Sequence, residues 1–384
     1  MERVHRRLAD GEPVGSVDDL RVRLADIARQ EAPLLGGGAL EAVVDAVVSR
    51  STGLGPLDAV LADPEVSEVM VNGDGPVWVE RRGRLELLDL RLDPATVEHL
   101  IERVVRPLGL RVDRSSPMVD ARLPDGSRVN AVVPPLAVDG PCLTIRRFSA
   151  RPVLLAEVCP PGVDLLLAWA VRARLNVVVS GGTGAGKTTL LNALAGCIPS
   201  GERVVTVEDA AELRLPGAHV VRLEARAANA EGAGGVAIRD LVRNALRMRP
   251  DRIVVGECRG GEALDMLQAM NTGHEGSLST VHANSPVDAL RRLEVMVLTG
   301  ATALPLDAVR QQVGAAVDLV VQIARRPDGS RAVVEVAEVD LDDPARVTTL
   351  ATAAGLSALP RRPPRAPGSP PPANRWVVAA GGAR

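Results

Sequence analysis

Aromatic side chains are nearly missing from this sequence: its 384 residues include no tyrosine, one phenylalanine (Phe148) and three tryptophans, Trp78, Trp169 and Trp376. That scarcity argues against the exposed stacking platforms that grip single-stranded nucleic acid. It leaves the core to Val, Leu, Ala and Ile, within an apolar fraction of 46% that is ordinary for a globular chain. A basic excess is also absent. The net charge of −3 supplies no pull toward a polyanion, so no direct nucleic-acid partner is expected. Cys142, Cys159, Cys197 and Cys258 form no C-x-x-C pair and no secreted framework, which suits a reducing cytosol, and each is expected as a small buried apolar residue. Met1 to Leu20 lacks the apolar stretch of a signal peptide. The most apolar window, Val163 to Ser180, is broken by Asp164, Arg172 and Arg174 and reads as a helix running into a buried strand, not as a membrane span.

Lysine is the sharpest shortage. Lys187 stands alone beside 44 arginines, and it lies in Gly181-Gly182-Thr183-Gly184-Ala185-Gly186-Lys187-Thr188. This run fits G-x-x-x-x-G-K-[ST], the loop whose backbone amides cradle nucleotide phosphates while the lysine reaches the outer ones. A compact ammonium enters such a nest as a point charge; a planar guanidinium demands a wider, bidentate partner. The residues expected to bind ATP are therefore Gly182, Thr183, Gly184, Ala185, Gly186, Lys187, Thr188 and Thr189, with the Thr188 hydroxyl on Mg²⁺.

The organisation along the chain supports that context. Residues 1–55 read as a helical leader, with Leu40, Val43, Val44, Val47 and Val48 at helical spacing. Residues 56–148 alternate short strands (Val69 to Val71, Val77 to Val79, Val129 to Val133) with a helix from Ala95 to Val105, a small α+β domain. A proline-punctuated linker is expected over 149–162. Over 163–345 the pattern becomes strand, glycine loop, helix: Leu175 to Ser180, Arg203 to Val207 and Arg252 to Val255 are buried strands, Thr188 to Ala195 and Ile238 to Met248 helices. Residues 346–384 form a proline-rich tail expected to be disordered, its prolines concentrated between Pro363 and Pro372.

Other residues could carry chemistry. Glu257 ends the run Ile253-Val254-Val255-Gly256-Glu257, where a carboxylate can orient water and contact the metal; Gly256 occupies the slot that usually holds an aspartate. Glu208, Asp209 and Glu212 follow another buried strand, and read either as lining the ligand crevice or as an acidic cluster at a helix start. His274 and His282 lie eight residues apart without metal-ligand spacing and are read as γ-phosphate or interface sensors, with a core role for one of them left open. Arg128, Arg146 and Arg147, and Arg247 and Arg249, are candidates to neutralise charge on the transferred phosphoryl group.

Four separated motifs occur in one order: Gly181 to Thr188, Thr206 to Leu213, Leu246 to Glu257, and Ala269 to Asn284. Together they resemble the secretion ATPases of type II and type IV systems, most of all the CpaF-like branch that drives Tad (Flp) pilus assembly. Val69-Met70-Val71-Asn72, Asp120 to Asn130 and Leu143 to Phe148 are similar to the same branch. The resemblance implies an α/β fold, a RecA-like P-loop motor domain with a smaller α+β (PAS-like) N-terminal domain, assembled as a hexamer with nucleotide between the domains. It makes Glu208, Asp209 and Glu212 an acidic box, Glu257 the water-activating glutamate, and His274 and His282 a histidine box, and it has Arg128, Arg146 and Arg147 reach the nucleotide from the N-terminal side. It further implies a cytoplasmic ATPase at the inner face of the cytoplasmic membrane, held there through inner-membrane platform proteins. The paired-cysteine zinc module of some type II relatives is missing, so no metal beyond Mg²⁺ is implied. A nucleic-acid translocase, a conjugative motor and a nonhydrolysing nucleotide-gated scaffold are the alternatives.

Overall fold

Valine dominates the strands of this protein, and its branched side chain fits a pleated surface packed on both faces. The computed structural model describes residues 17–31, 36–147, 153–226, 233–300, 304–341, 343 and 345–377. Phe148, the start of the leader, the first part of the linker and the last residues of the tail lie outside them. Contacts divide the chain into two units, Met1–Ser149 and Ala150–Arg384.

In the first unit, helices Val17–Glu31 and Gly37–Thr52 pack together through Leu24, Ala28, Val44, Val47 and Val48. An antiparallel sheet follows, built from β1 (Val66–Asn72), β2 (Pro76–Arg81), β3 (Arg84–Arg91), β4 (Met118–Arg122), β5 (Arg128–Val132) and β6 (Cys142–Arg146), in the order β3-β2-β1-β6-β5-β4. Helix Pro94–Val105 joins its two halves. Asp93 caps it by accepting from the Thr96 amide at 2.8 Å, and Val97, Leu100, Ile101, Val104 and Val105 bury one face against the sheet. This is the small α+β, PAS-like domain expected.

The second unit has a nine-stranded sheet. Six strands are parallel: β7 (Val177–Gly181), β8 (Val204–Glu208), β9 (Val220–Glu224), β10 (Arg252–Cys258), β11 (Leu278–His282) and β12 (Leu319–Arg325), arranged β12-β7-β11-β10-β8-β9. β13 (Arg331–Val339), β14 (Val347–Thr352) and β15 (Gly355–Leu356) extend it antiparallel beyond β12. Alternation divides each strand between two cores. Val177 and Val179 face the helices Val163–Arg172 and Lys187–Ala195, while Val178 faces helices Ile238–Ala245, Glu262–Asn271, Pro286–Gly300 and Leu306–Ala316. A parallel sheet covered on both faces, with a glycine loop after β7, is the RecA-like P-loop architecture.

Two expectations about segments change. Within the expected linker, Leu155–Val158 is a helical turn whose Leu155 and Val158 sit in the core of the second unit. The expected disordered tail is ordered over 345–377. β14 and β15 complete the sheet, and Arg362 and Arg365 then clasp the buried Asp318, with Nη1–Oδ1 at 2.9 Å and Nε–Oδ2 at 2.8 Å. The Trp169 indole donates to the Pro370 carbonyl at 2.8 Å. Proline-rich composition removes backbone donors but does not prevent a segment from being fixed by side chains.

Candidate functional site

Parallel strands all open at their C-terminal edge, so the ends of the neighbours β7, β11, β10 and β8 bring Lys187, His282, Glu257 and Glu208 together. Register puts His282 level with Gly181. The loop between β7 and helix Lys187–Ala195 takes left-handed conformations at Gly184 (φ 69°) and Gly186 (φ 97°) that other residues rarely adopt. At Gly181 a Cβ would lie 2.4 Å from the Ile323 carbonyl oxygen. Lys187, only 8% exposed, donates to the carbonyls of Gly181 at 3.1 Å and Gly182 at 3.0 Å, and its Nζ lies 3.1 Å from His282 Nε2. Burial, and then the neighbouring ammonium, lower the His282 pKa, partly offset by Glu257. An ammonium held by loop carbonyls beside a run of glycine amides fits a phosphate group. The Thr188 hydroxyl, in the first turn of the same helix, fits an Mg²⁺ ligand.

Glu257 owes its direction to a bulge. Between β10 and β11, Val255 pairs with Ser279 and Cys258 with Val281, so β10 carries one extra residue. The parity of the strand flips there: Ile253, Val255 and Cys258 all enter the same core, and Glu257 is turned away from it. Thr280 Oγ1 fastens the bulge by donating to the Gly256 carbonyl at 2.7 Å. The Glu257 Oε2 atom accepts from Arg259 Nε at 3.0 Å and Nη2 at 2.7 Å. Its Oε1 is buried and lies 2.9 Å from His282 Nε2, an ion pair whenever that imidazole is protonated.

Glu208 explains the glycine in the aspartate slot. A Cβ on Gly256 would meet Glu208 Cγ at 2.9 Å, so the space is filled from the neighbouring strand. Glu208 Oε2 accepts the amides of Glu212 at 2.7 Å and Leu213 at 2.8 Å, which ties down the acidic loop. Burial pushes its pKa up to about 7, against the pull of those two amides. Asp209 is half-exposed, 3.6 Å from Arg259 Nη1.

Several predicted residues lie elsewhere. His274 precedes β11, at the edge where strands begin; the Ser277 carbonyl there accepts the Val177 amide at 3.2 Å. Its Nδ1 is buried without a partner, and its carbonyl accepts from Ser277 Oγ at 2.7 Å. The two histidines thus flank β11 at opposite ends and do not form one cluster. Arg247 and Arg249 precede β10 at that same opposite edge and do not reach this chain's loop. In the first unit, β5–β6 register sets Arg128 beside Arg146, and Arg147 Nη1 donates to the carbonyl of Val66 at 3.0 Å and also to that of Asp63.

Three residues were not singled out from the sequence. Arg259 is one arginine among 44, so composition hides it. Arg331 comes from β13 to donate to the Gly184 carbonyl at 3.1 Å, and Gln322, on β12, bonds Ser180 Oγ and the Ala283 carbonyl. Both depend on which strand neighbours β7, and no local motif records that. Among the described residues no cluster of three or more His, Cys, Asp or Glu could hold a metal, and no helix is long and apolar enough to cross a membrane.

Comparison with known proteins agrees with this geometry. The family description "Type II/IV secretion system protein" matches residues 50–358. A Mycobacterium tuberculosis protein assigned provisionally to conjugal transfer is 41% identical over 316 residues, 79% of this chain and 89% of that protein. The type IV secretion system protein PtlH of Bordetella pertussis is 37% identical over 323 residues, 74% of this chain and 93% of its own. Among solved structures, the pilus retraction motor PilT with bound ADP has a TM-score of 0.54 at 21% identity, covering 73% of this chain and 81% of that one, a likeness of fold. The chain belongs to the type II/IV secretion system protein family.

Proposed function

We propose, from that membership, that this protein is a hexameric ATPase that works at the cytoplasmic face of the inner membrane and drives a pilus or secretion machine through platform proteins. The Tad/Flp pilus is the machine its motifs resemble most. One observation carries the chemistry: a buried glutamate oxygen, Glu257 Oε1, lies 2.9 Å from the histidine that contacts the phosphate-loop lysine.

In this reading the loop amides from Gly182 to Thr189 and the Lys187 ammonium hold the outer phosphates of ATP. Lys187 exchanges its carbonyl partners for phosphate oxygens. Thr188 and Glu257 would hold Mg²⁺, which draws charge from the phosphoryl oxygens when bound. Glu257 orients the attacking water, whose oxygen forms the new P–O bond as the bond to the ADP oxygen breaks. His282 senses the phosphate because it touches both Lys187 and Glu257. Glu208 fixes the loop carrying Asp209 and Glu212.

The test is phosphate release by the wild-type protein and by Glu257→Gln, with ATP affinity measured alongside. We expect turnover to fall by about 100-fold or more with affinity retained; unchanged turnover refutes the assignment. A conjugative motor is the second reading, favoured by the name of the M. tuberculosis relative. A nucleic-acid translocase, by contrast, requires DNA-stimulated, steeply salt-dependent hydrolysis, which neither the pilus nor the conjugative reading does.

A further inference from the structure

Arg259 stands just past the end of β10, two residues beyond Glu257. Its backbone is pinned: Glu262 Oε1, from the first turn of helix Glu262–Asn271, accepts the amides of Arg259 at 2.6 Å and Gly260 at 2.9 Å. The guanidinium bends back to grip a single oxygen of Glu257 with two nitrogens. Its Nη1 lies 3.6 Å from Asp209, which follows β8, so the acidic loop bears on Arg259 from the other side. A cavity of about 430 Å³ lined by Asp209, Arg226, Ile238, Arg259 and Glu262 adjoins it, and the side chain is 56% exposed. Such a side chain adds little to the core, yet it touches the reacting carboxylate directly.

We propose that Arg259 is a positioning residue for hydrolysis: by holding Glu257 Oε2 it presents Oε1 to the phosphate side, with Asp209 steering the guanidinium. The inference rests on Glu257 being the water-orienting group. It differs from a phosphate-binding role, because Arg259 acts through a carboxylate, and from an inhibitory latch, because its grip is on Oε2 alone and leaves Oε1 facing His282.

The experiment measures kcat, KM for ATP and ATP affinity for wild type, Arg259→Ala, Arg259→Lys, Glu257→Gln and the Arg259→Ala/Glu257→Gln double variant, all in the full chain. We expect Arg259→Ala to lower kcat about 10- to 100-fold with KM and affinity within about threefold, since small misplacements of a catalytic group cost this much. Arg259→Lys should restore part of the loss by supplying one donor in place of two. In the Glu257→Gln background the alanine substitution should cost little more, because its effect runs through Glu257. An equal further loss in that background, a rise in KM with kcat preserved, or faster turnover in Arg259→Ala each overturns the proposal. Unchanged turnover in Glu257→Gln alone refutes the function assigned to Glu257, a result distinct from any of these.

Discussion

At the scale of single residues, the site depends on atoms that are missing. Gly256→Ala places a methyl group 2.9 Å from Glu208 Cγ, and overpacking of that kind costs about 1–3 kcal/mol. Chemical denaturation should show that loss, together with reduced hydrolysis as Glu208 releases the acidic loop. Glu208 also makes stability depend on pH. Its pKa rises from 4.5 to about 7 on folding, so between those values the folded chain keeps a proton that the unfolded chain has released. Stability from this group is therefore intact below pH 4.5 and falls as pH rises toward 7, by about 3 kcal/mol at most. Glu208→Gln should flatten that slope in urea titrations at several pH values; an unchanged slope means the burial of Glu208 is not its source. Lys187→Arg, in a chain that otherwise uses arginine alone, should abolish most ATPase activity, because the carbonyl pocket of Gly181 and Gly182 is built for an ammonium.

At the scale of elements, much of the site was legible because parallel strands deliver their ends to one edge. The run Val177 to Gly181, the glycine loop after it and Glu257 could be placed from apolar runs and spacing alone. The bulge could not, since it exists only in the pairing of β10 with β11. His274 was grouped with His282 by closeness in sequence, but four residues of β11 intervene and carry the two to opposite edges of the sheet. The tail was misread because proline content says nothing about long-range ion pairs. Asp318 receives the Asn176 amide at 2.8 Å as well as both arginines, so it ties the tail to the base of β7. Asp318→Ala leaves Arg362, 4% exposed, without its charge partner and should cost about 3–5 kcal/mol. Deleting the chain after Leu359 should destabilise too, and the two changes together should cost less than their sum in thermal unfolding, since both break one cluster.

At the scale of the whole molecule, the chain divides into two units. The second carries the phosphate loop, the bulged strand and the tail, while the first presents a six-stranded sheet on which Arg128 and Arg146 are cross-strand neighbours. The scarcity of aromatic residues leaves no mark on this plan, because valine, leucine and alanine fill both faces of the large sheet. The account rests on ATP being held through Lys187, and one lysine in 384 residues makes this directly measurable. Acylation of amines, read by mass spectrometry with and without Mg²⁺ and ATP, has only Lys187 and the terminal amine to modify. The account predicts that ATP protects Lys187 while the terminal amine reacts equally in both samples; Lys187 labelled at the same rate with saturating ATP would contradict it.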